Sequence, residues 1–148
     1  MAFRFSLETV LHFRRSVEHQ QELRLRAANQ QVTRARHLVG HIDQQIAAER
    51  SGQAQHLAAG TTSAELRFSL ASEAVLGDHR RLAQRELLRL EALRDQQQKI
   101  FRQARRERET FESLRNQQLR EYERDRSRQE QRQLDDLFLL RQAYLRHG

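Results

Sequence analysis

The sequence predicts an all-α fold, two long helices forming an antiparallel coiled-coil hairpin in which the second helix is longer and overhangs the first. The 148 residues include no proline and five glycines, whereas the abundant Arg, Gln, Leu, Glu and Ala are strong helix formers. Apolar residues recur at alternating spacings of three and four, which line one face of a helix. One interruption, residues 51–61, separates two such patterns. We therefore predict a single domain with helices over 6–50 and 62–146.

The first helix is predicted to begin at Ser6, whose side chain can cap it, with Phe5 and Val10 at the positions of a hydrophobic staple. Its regular seam then comprises seven residues: Leu25, Ala28, Val32, Ala35, Val39, Ile42 and Ile46.

Towards the N-terminus the same register meets polar residues at core positions, namely Gln21, Glu18 and Arg14. A shift of register would place apolar residues there instead: Val10, Phe13 and Val17. Both registers stay open.

Residues 51–61 hold two of the five glycines and read as a loop. Thr62 and Glu65 follow with the spacing of a capping box, which begins the second helix. The predicted seam of this helix is Leu93, Gln97, Ile100, Ala104, Glu107, Phe111, Leu114, Gln118 and Glu121. Beyond Tyr122 the apolar residues stop for about three turns and return at Leu134.

Counting outward from the loop predicts which residues face each other. The expected pairs are Ile46 with Leu66, Leu25 with Leu87, and Leu11 with Phe101, and Gly77 would allow a close approach opposite Ala35. The second helix would then have no partner from Glu107 onward, over about 40 residues. The overhang ends in an amphipathic cluster, which we interpret as a docking surface or an oligomer contact.

Composition narrows the class of protein. Only 37% of the residues are hydrophobic, too few to wrap a compact core. There is no cysteine, which fits a reducing compartment. The longest apolar run, 137–140, is far short of the roughly 20 residues of a membrane span, and the N-terminus lacks a signal-peptide pattern. We expect a soluble cytoplasmic protein with no direct membrane insertion.

Candidate chemical sites are weak. His37 and His41 lie one helical turn apart, but no third metal ligand is evident. No glycine-rich phosphate loop is present. Asp135 and Asp136 lie on a helix with no concave site around them. We expect a protein that is not an enzyme and that binds no cofactor or metal.

The charge of +7 is the remaining compositional signal, and it comes almost wholly from arginine. Many arginines on a rod can contact phosphates, so an Arg-rich nucleic-acid-binding protein is one alternative. Acidic residues interleave these arginines, however, which favours a solvated helix face and no nucleic acid. A second alternative is a generic coiled-coil adaptor or homo-oligomer in which the overhangs of two molecules pair.

Three stretches carry a family resemblance: FRFSLETVL at 3–11 followed by Arg14 and Arg15; AGTTS at 59–63; and RRERE at 105–109, Leu114, Tyr122 and EQRQLDD at 130–136. In this order and spacing they resemble the FliJ proteins of the bacterial flagellar type III export apparatus. Such proteins look like the coiled-coil shaft of the rotary ATP synthase gamma subunit.

The resemblance implies a non-catalytic stalk whose two termini insert into a hexameric, FliI-like export ATPase. It also implies contact with the cytoplasmic domain of an FlhA-like export gate protein, handling of free export chaperones, and a peripheral location at the cytoplasmic face of the inner membrane. The expected ATPase-ring contacts are Phe5, Leu7, Leu134, Leu137 and Phe138.

The family's gate-contacting surface lies on the half of the hairpin near the loop and includes aromatic residues. The corresponding rows here lack the aromatics and comprise Leu38, Ile42, Gln45 and Glu49, with Leu76, His79 and Ala83 on the second helix.

Overall fold

A computed structural model describes residues 2–148 as two helices, α1 over Glu8–Ala59 and α2 over Ser63–His147. The helices run antiparallel, because successive ion pairs join Arg36 to Glu91 and Arg50 to Glu73. No strand occurs in the described part of the chain. The predicted all-α hairpin with a longer second helix is confirmed.

The predicted loop over 51–61 is wrong, because α1 continues to Ala59. Gly52 sits inside the helix, where a glycine costs only about 1 kcal/mol relative to alanine. The helix ends instead at Gly60, whose φ of 90° is in the left-handed region that glycine adopts after a helix C-terminus. Only residues 60–62 connect the two helices.

The predicted capping box at the start of α2 is confirmed. The Glu65 backbone N–H donates to Thr62 Oγ1 (3.2 Å), and the Thr62 N–H donates to Glu65 Oε2 (3.4 Å). The Thr61 hydroxyl also donates to Glu65 Oε2 at 2.8 Å. This hydroxyl and then the Thr62 N–H hold the pKa of Glu65 below its ordinary value.

The start of α1 differs from the prediction by two residues. The Glu8 N–H donates to the carbonyl of Phe5 (3.1 Å) and the Leu11 N–H to the carbonyl of Leu7 (2.9 Å). Leu7, rather than Ser6, therefore accepts the first helical hydrogen bond and occupies the cap position.

The predicted seam of α1 is confirmed, since all seven of its residues are buried or half-buried. Towards the N-terminus the unshifted register is favoured, because Leu11 is fully buried and Arg14, Glu18 and Gln21 are half-buried. Of the alternative set, Phe13 is 59% exposed, whereas Val10 and Val17 are half-buried. Polar side chains are tolerated at these core positions because each meets a polar partner on α2.

Four of the nine residues predicted for the α2 seam lie on the row that packs against α1, namely Gln97, Ala104, Phe111 and Gln118, and the other five each lie one residue before it. Its actual non-exposed row alternates in steps of three and four from Leu66 to Tyr122: Leu66, Ser69, Glu73, Leu76, Arg80, Ala83, Leu87, Leu90, Arg94, Gln97, Phe101, Ala104, Arg108, Phe111, Arg115, Gln118 and Tyr122. Leu93 and Ile100 each lie one residue before a true position and are 46% and 44% exposed. Arg94 and Arg115, rather than the predicted Leu93 and Leu114, lie on the row. An arginine can do so because its aliphatic stem covers the seam while its guanidinium reaches a carboxylate.

The predicted residue pairs are also wrong, because the turn lies later in the chain than expected. The counting argument places residue 76 opposite Arg36, but Arg36 pairs with Glu91, 15 residues further along α2. The neighbouring pairs Arg50–Glu73, Gln21–Gln97 and Glu8–Arg115 are displaced in the same direction, so Ile46 does not face Leu66, nor Leu25 Leu87, nor Leu11 Phe101.

Gly77 does not mediate a close approach to Ala35, because a Cβ at Gly77 would meet nothing within 4 Å. Within residues 2–148, the part of α2 that no α1-side residue covers begins after Tyr122 rather than at Glu107, since Phe3 still packs on the Tyr122 ring at 5.6 Å.

The contacts divide the chain into two units. The turn unit, Gln20–Arg102, contains the main hydrophobic core. Its buried members are Val32, Ala35, Val39, Ile42, Ala83 and Leu87, with Ile46 and Leu90 packed against them. Gln97 Nε2 donates to Gln21 Oε1 at 2.7 Å and gives this unit one polar layer. The single-domain assignment stays a prediction.

The terminal unit combines the N-terminal residues through His19 with Gln103–Gly148. Its buried apolar residues are Phe5, Leu11 and Ala104. Charged pairs join α1 to α2 here: Glu8 with Arg115, Arg14 with Glu107, Arg15 with Glu112, and Glu18 with Arg108.

Arg108 is the centre of the charged seam in the terminal unit. Its Nε donates to Glu18 Oε2 at 2.6 Å, and its Nη1 donates to Glu112. These two carboxylates raise the pKa of Arg108, and Arg108 in turn lowers the pKa of Glu112, with Arg15 as a smaller cause.

Candidate functional site

The terminal unit ends in a single exposed helical segment. Every residue from Glu123 to Gly148 is exposed. Between Glu123 and Gln133 the surface is polar, and ion pairs along one helix, such as Arg126 Nε to Glu130 Oε1 at 3.1 Å, support it. Such pairs stabilise a helix by only a few tenths of a kcal/mol each. This stretch separates the apolar end of α2 from the hairpin contacts of the same unit.

The apolar end of α2, here called the terminal segment, comprises residues 134–145. Its large apolar side chains are 61–82% exposed: Leu134, Leu137, Phe138, Leu139, Leu140, Tyr144 and Leu145. At 100° per residue, all but Leu139 fall within an arc of about 160°, interrupted by Arg141. A stripe of this width and exposure on a helix end is suited to bind an apolar surface of a partner.

The predicted ring-contact residues do not all lie on this surface. Leu134, Leu137 and Phe138 are exposed, whereas Leu7 is half-buried and Phe5 is only 7% exposed. Phe5 is therefore part of the core of the terminal unit. The ring-contact role of the set stays a prediction.

Sequence reasoning missed an aromatic and cationic group around Phe3. The Phe3 ring lies 5.6 Å from that of Tyr122, tilted by 51°, and Arg115 Cζ lies 6.0 Å from the Phe3 centroid. Arg14 Cζ similarly lies 5.9 Å from the Phe111 ring. These contacts fasten the N-terminal residues to α2. The available signal is the seven-residue spacing of Arg115 and Tyr122 on the true α2 row, which the predicted register, one residue earlier at Leu114 and Glu121, concealed.

The predicted gate-contact residues lie in the turn unit and are divided in their exposure. Leu38 is 53% exposed, and Gln45 and His79 are also exposed. Ile42 and Ala83 belong to the hydrophobic core, and Glu49 and Leu76 are half-buried on the seam. Only the exposed residues are available to a partner without opening the hairpin, and the gate-contact role stays a prediction.

An open cleft of about 550 Å³ lies between the two helices near the turn. Small residues create it, chiefly Ala48, Gly52 and Ala64, and Leu57, Leu66 and Phe68 supply apolar walls. Glu49 belongs both to this cleft and to the predicted gate-contact row, and it accepts a hydrogen bond from Ser69 Oγ at 3.3 Å. The small residues Ala48 and Gly52 can be seen in the sequence. Because residues 51–61 were predicted to be a loop, the sequence did not indicate that both lie on one helix and line a cleft.

Many arginines of the turn unit form ion pairs with carboxylates. Arg50 Nε donates to Glu73 Oε1 at 2.7 Å and lowers the pKa of that carboxyl. Arg80 Nε donates to Asp43 Oδ1 at 2.5 Å, and this carboxylate raises the pKa of Arg80.

Possible metal ligands do not gather among residues 2–148, where no three His, Cys, Asp or Glu side chains are grouped. Over the same residues, neither helix has a stretch apolar enough to cross a membrane. The two candidate surfaces are therefore the terminal segment and the turn-proximal face with its cleft, and both suit contact with other proteins.

Comparison with known protein families matches residues 3–148 to the family described as flagellar FliJ protein. Searches of the curated proteins and of the solved structures found no significant match. The matched region covers nearly all of the chain and includes both helices and the turn. The chain therefore belongs to the FliJ family, a non-catalytic flagellar family with a role related to protein export.

Proposed function

We propose that this protein is the stalk of a flagellar type III export apparatus, inserting its terminal unit into a hexameric export ATPase and promoting the assembly or activity of that ring. The observation that carries the proposal is the exposed terminal segment, held on a single helix beyond the last hairpin contact at Tyr122. ATP hydrolysis belongs to the partner ATPase.

The mechanism follows from symmetry. An asymmetric pair of helices presents a different face to each subunit of a symmetric ring. Each subunit therefore binds the stalk with a different free energy, and its conformational equilibrium shifts accordingly. Leu134, Leu137 and Phe138 supply the apolar contacts, and the half-buried Leu7 belongs to the same unit.

The turn unit is proposed to contact the cytoplasmic domain of the export gate protein. Leu38, Gln45 and His79 are the accessible members of the gate-contact set, and the cleft beside Glu49 offers an apolar recess for a side chain of the gate. Through this contact the stalk connects the ATPase with the gate at the cytoplasmic face of the inner membrane. Free export chaperones are the third proposed partner.

The deciding experiment measures the ATPase rate and the hexamer fraction of the cognate export ATPase with and without this protein. We expect both to rise. The double variant Leu137→Ser with Phe138→Ser should lose the stimulation, because it removes the centre of the apolar arc. Leu23→Ser is the matched control, since Leu23 is an exposed leucine on α1, 48% accessible. An unchanged rate and an unchanged hexamer fraction would rule out the stalk function.

The gate contact has its own test. Titration of the gate protein's cytoplasmic domain should show weaker binding for Leu38→Ala, Gln45→Ala and His79→Ala, with circular dichroism confirming that each variant keeps its helices. Undiminished binding of all three variants would remove this face from the proposal and leave the ATPase contact untouched.

Self-association is a second candidate function, favoured by the same exposed stripe. Two terminal segments can cover each other, as apolar helix faces do in coiled coils. Sedimentation at several protein concentrations would then reveal a dimer that Leu137→Ser with Phe138→Ser abolishes. A monomer at all concentrations excludes it.

A further inference from the structure

The turn unit carries a second row of apolar side chains on the outer surface of α2. The row advances in steps of four and three, and its members are exposed: Ala64, Phe68, Ala71, Val75 and Leu82, with Asp78 at the one polar position. Phe68 is 78% exposed, Val75 53% and Leu82 61%. We call it the outer row. Its spacing is that of a coiled-coil seam, and no other part of the described chain covers it.

The outer row points away from the hairpin seam and from the gate-contact row, although Ala64 and Phe68 at its turn end also line the cleft. At 100° per residue, its mean direction lies about 150° from the row that packs on α1. It lies about 90° from the row of Leu76, His79 and Ala83. A helix bound to the outer row would therefore leave the hairpin seam and the row of Leu76, His79 and Ala83 free, and would cover the wall of the cleft that Ala64 and Phe68 form.

The charges beside the outer row are unbalanced. Arg67 and Arg85 lie on the same flank, about 27 Å apart along the helix axis. Neither has an ion pair or hydrogen bond with the described residues, whereas their neighbours Arg80, Arg81 and Arg89 each bind a carboxylate. The flank therefore offers two uncompensated cations to an incoming group.

Two observations favour a different protein over a second copy of this chain. A second copy would bring the same cations, Arg67 and Arg85, against each other. One helix face of about five turns also buries less than the roughly 800 Å² per partner of a stable interface. Small and large residues alternate along the row, from Ala64 and Phe68 to Ala71 and Val75. The small residues leave spaces into which side chains of a single partner helix can pack.

We propose that the outer row binds one amphipathic helix of a partner protein, with an apolar stripe against Phe68, Val75 and Leu82 and acidic residues along the edge that faces Arg67 and Arg85. The acidic edge sets the orientation of the bound helix, and the contact is of the transient class. This inference goes beyond the proposed stalk function and does not depend on it.

The test uses the full chain and two synthetic helical peptides of about 20 residues, long enough to cover the outer row. Both peptides carry leucine at the seam positions. One has glutamate along one flank, and the other has lysine at the same positions. Fluorescence anisotropy should show saturable binding of the acidic peptide and at least about tenfold weaker binding of the basic one.

Variants locate the site. Phe68→Ser and Val75→Ser should each weaken binding of the acidic peptide about tenfold, the loss expected for an anchor residue of an interface. Arg67→Gln with Arg85→Gln should reduce the preference for the acidic peptide. Leu88→Ser is the matched control, because Leu88 lies on the same helix outside the row and is 57% exposed. The helicity of each variant is checked by circular dichroism at 222 nm.

Three binding results would overturn the inference. These are no saturable binding of the acidic peptide, equal affinity for both peptides, or binding that Phe68→Ser leaves unchanged. A dimer in sedimentation that Phe68→Ser abolishes would assign the row to a second copy and equally reject the proposed partner. Stimulation of the export ATPase is not an arm of this test, so its failure and the failure of the stalk function are distinguishable.

Discussion

The turn unit and the terminal unit hold the same two helices together by different means. The turn unit does so with a continuous apolar core from Val32 to Ile42 on α1, packed against Ala83 and Leu87. Among its described residues the terminal unit buries only Phe5, Leu11 and Ala104, and four carboxylate–guanidinium pairs also join its helices. The heptad geometry is preserved in both. The difference teaches that coiled-coil spacing tolerates charge at core positions where each charge finds a partner across the seam.

The two means differ in strength. Burial of an apolar side chain contributes about 1.5–3 kcal/mol, whereas a partly exposed ion pair contributes about 1 kcal/mol or less and is screened by salt. The terminal unit should therefore open at a lower free energy than the turn unit.

The largest effect should come from the core of the turn unit. Leu87→Ala should lower the free energy of unfolding by about 2–3 kcal/mol, because it removes a side chain packed between α1 residues and leaves a cavity. Urea unfolding followed at 222 nm measures it. The adjacent Leu88, 57% exposed, is the control, and Leu88→Ala should cost less than about 0.5 kcal/mol. Equal losses would contradict the assigned register.

The next effect tests the charged seam of the terminal unit. Arg108→Gln should destabilise this unit by about 1–2 kcal/mol, because Glu18 is left half-buried without its cation. Amide hydrogen exchange over the first three turns of α1 should then accelerate about tenfold, with little change in the turn unit.

Arg105→Gln is the matched control for Arg108. Arg105 forms an ion pair with Glu109 on the exposed surface of α2, away from the seam, and both side chains are at least half exposed. If Arg105→Gln accelerated amide exchange in α1 as much as Arg108→Gln does, the Arg108–Glu18 pair would not be the cause of the protection.

Acidification should separate the two units further. Arg108 and Arg15 hold the pKa of Glu112 below its ordinary value. A carboxyl whose pKa is lower in the folded state stabilises fully above its unfolded pKa of about 4.3 and loses that contribution as the pH falls through the folded value. Exchange protection of the terminal unit, corrected for intrinsic rates, should therefore fall below about pH 4.3.

The turn unit also contains a carboxyl of lowered pKa, Glu73 beside Arg50, but its apolar core persists in acid. Its protection should fall less over the same pH range. Arg108→Gln provides the control, since it should flatten the pH dependence of the terminal unit. A parallel loss of protection in both units would contradict the comparison.

The smallest effect is a gain in stability. Gly77→Ala in the turn unit should stabilise the protein by about 0.5–1 kcal/mol, because alanine loses less backbone entropy in a helix and its Cβ would meet no atom within 4 Å. Thermal unfolding measures the gain. A loss of stability would indicate a close helix contact at Gly77 after all.

The sequence predicts the type of fold, the α1 seam and the cap of α2, because these depend on local patterns. The seam of α2 was half missed, since hydrophobicity favours Leu93 and Ile100 over Arg94 and Phe101 when the partner carboxylates are unknown. The end of α1 was missed because Gly52 and Gly60 look alike in the sequence. Only Gly60 takes a left-handed conformation, and a capping box follows it directly.

The candidate surfaces were predictable in different degrees. The terminal segment follows from the return of apolar residues at Leu134 after a polar stretch. The burial of Phe5 cannot be inferred from the sequence in this way, because it depends on where the N-terminal residues contact α2. The cleft beside Gly52 depends on the true position of the turn, which local patterns misplaced.

The single-helix stretch between Tyr122 and Leu134 has a consequence for how the molecule can vary. Any insertion within the paired part of α2 must be matched by one in α1, or the ion pairs lose their partners. Seven residues added after Tyr122 would instead displace the terminal segment by about 10 Å along the axis while leaving every contact of the hairpin unchanged. The reach of the protein is therefore an adjustable dimension, independent of the interactions that fold it.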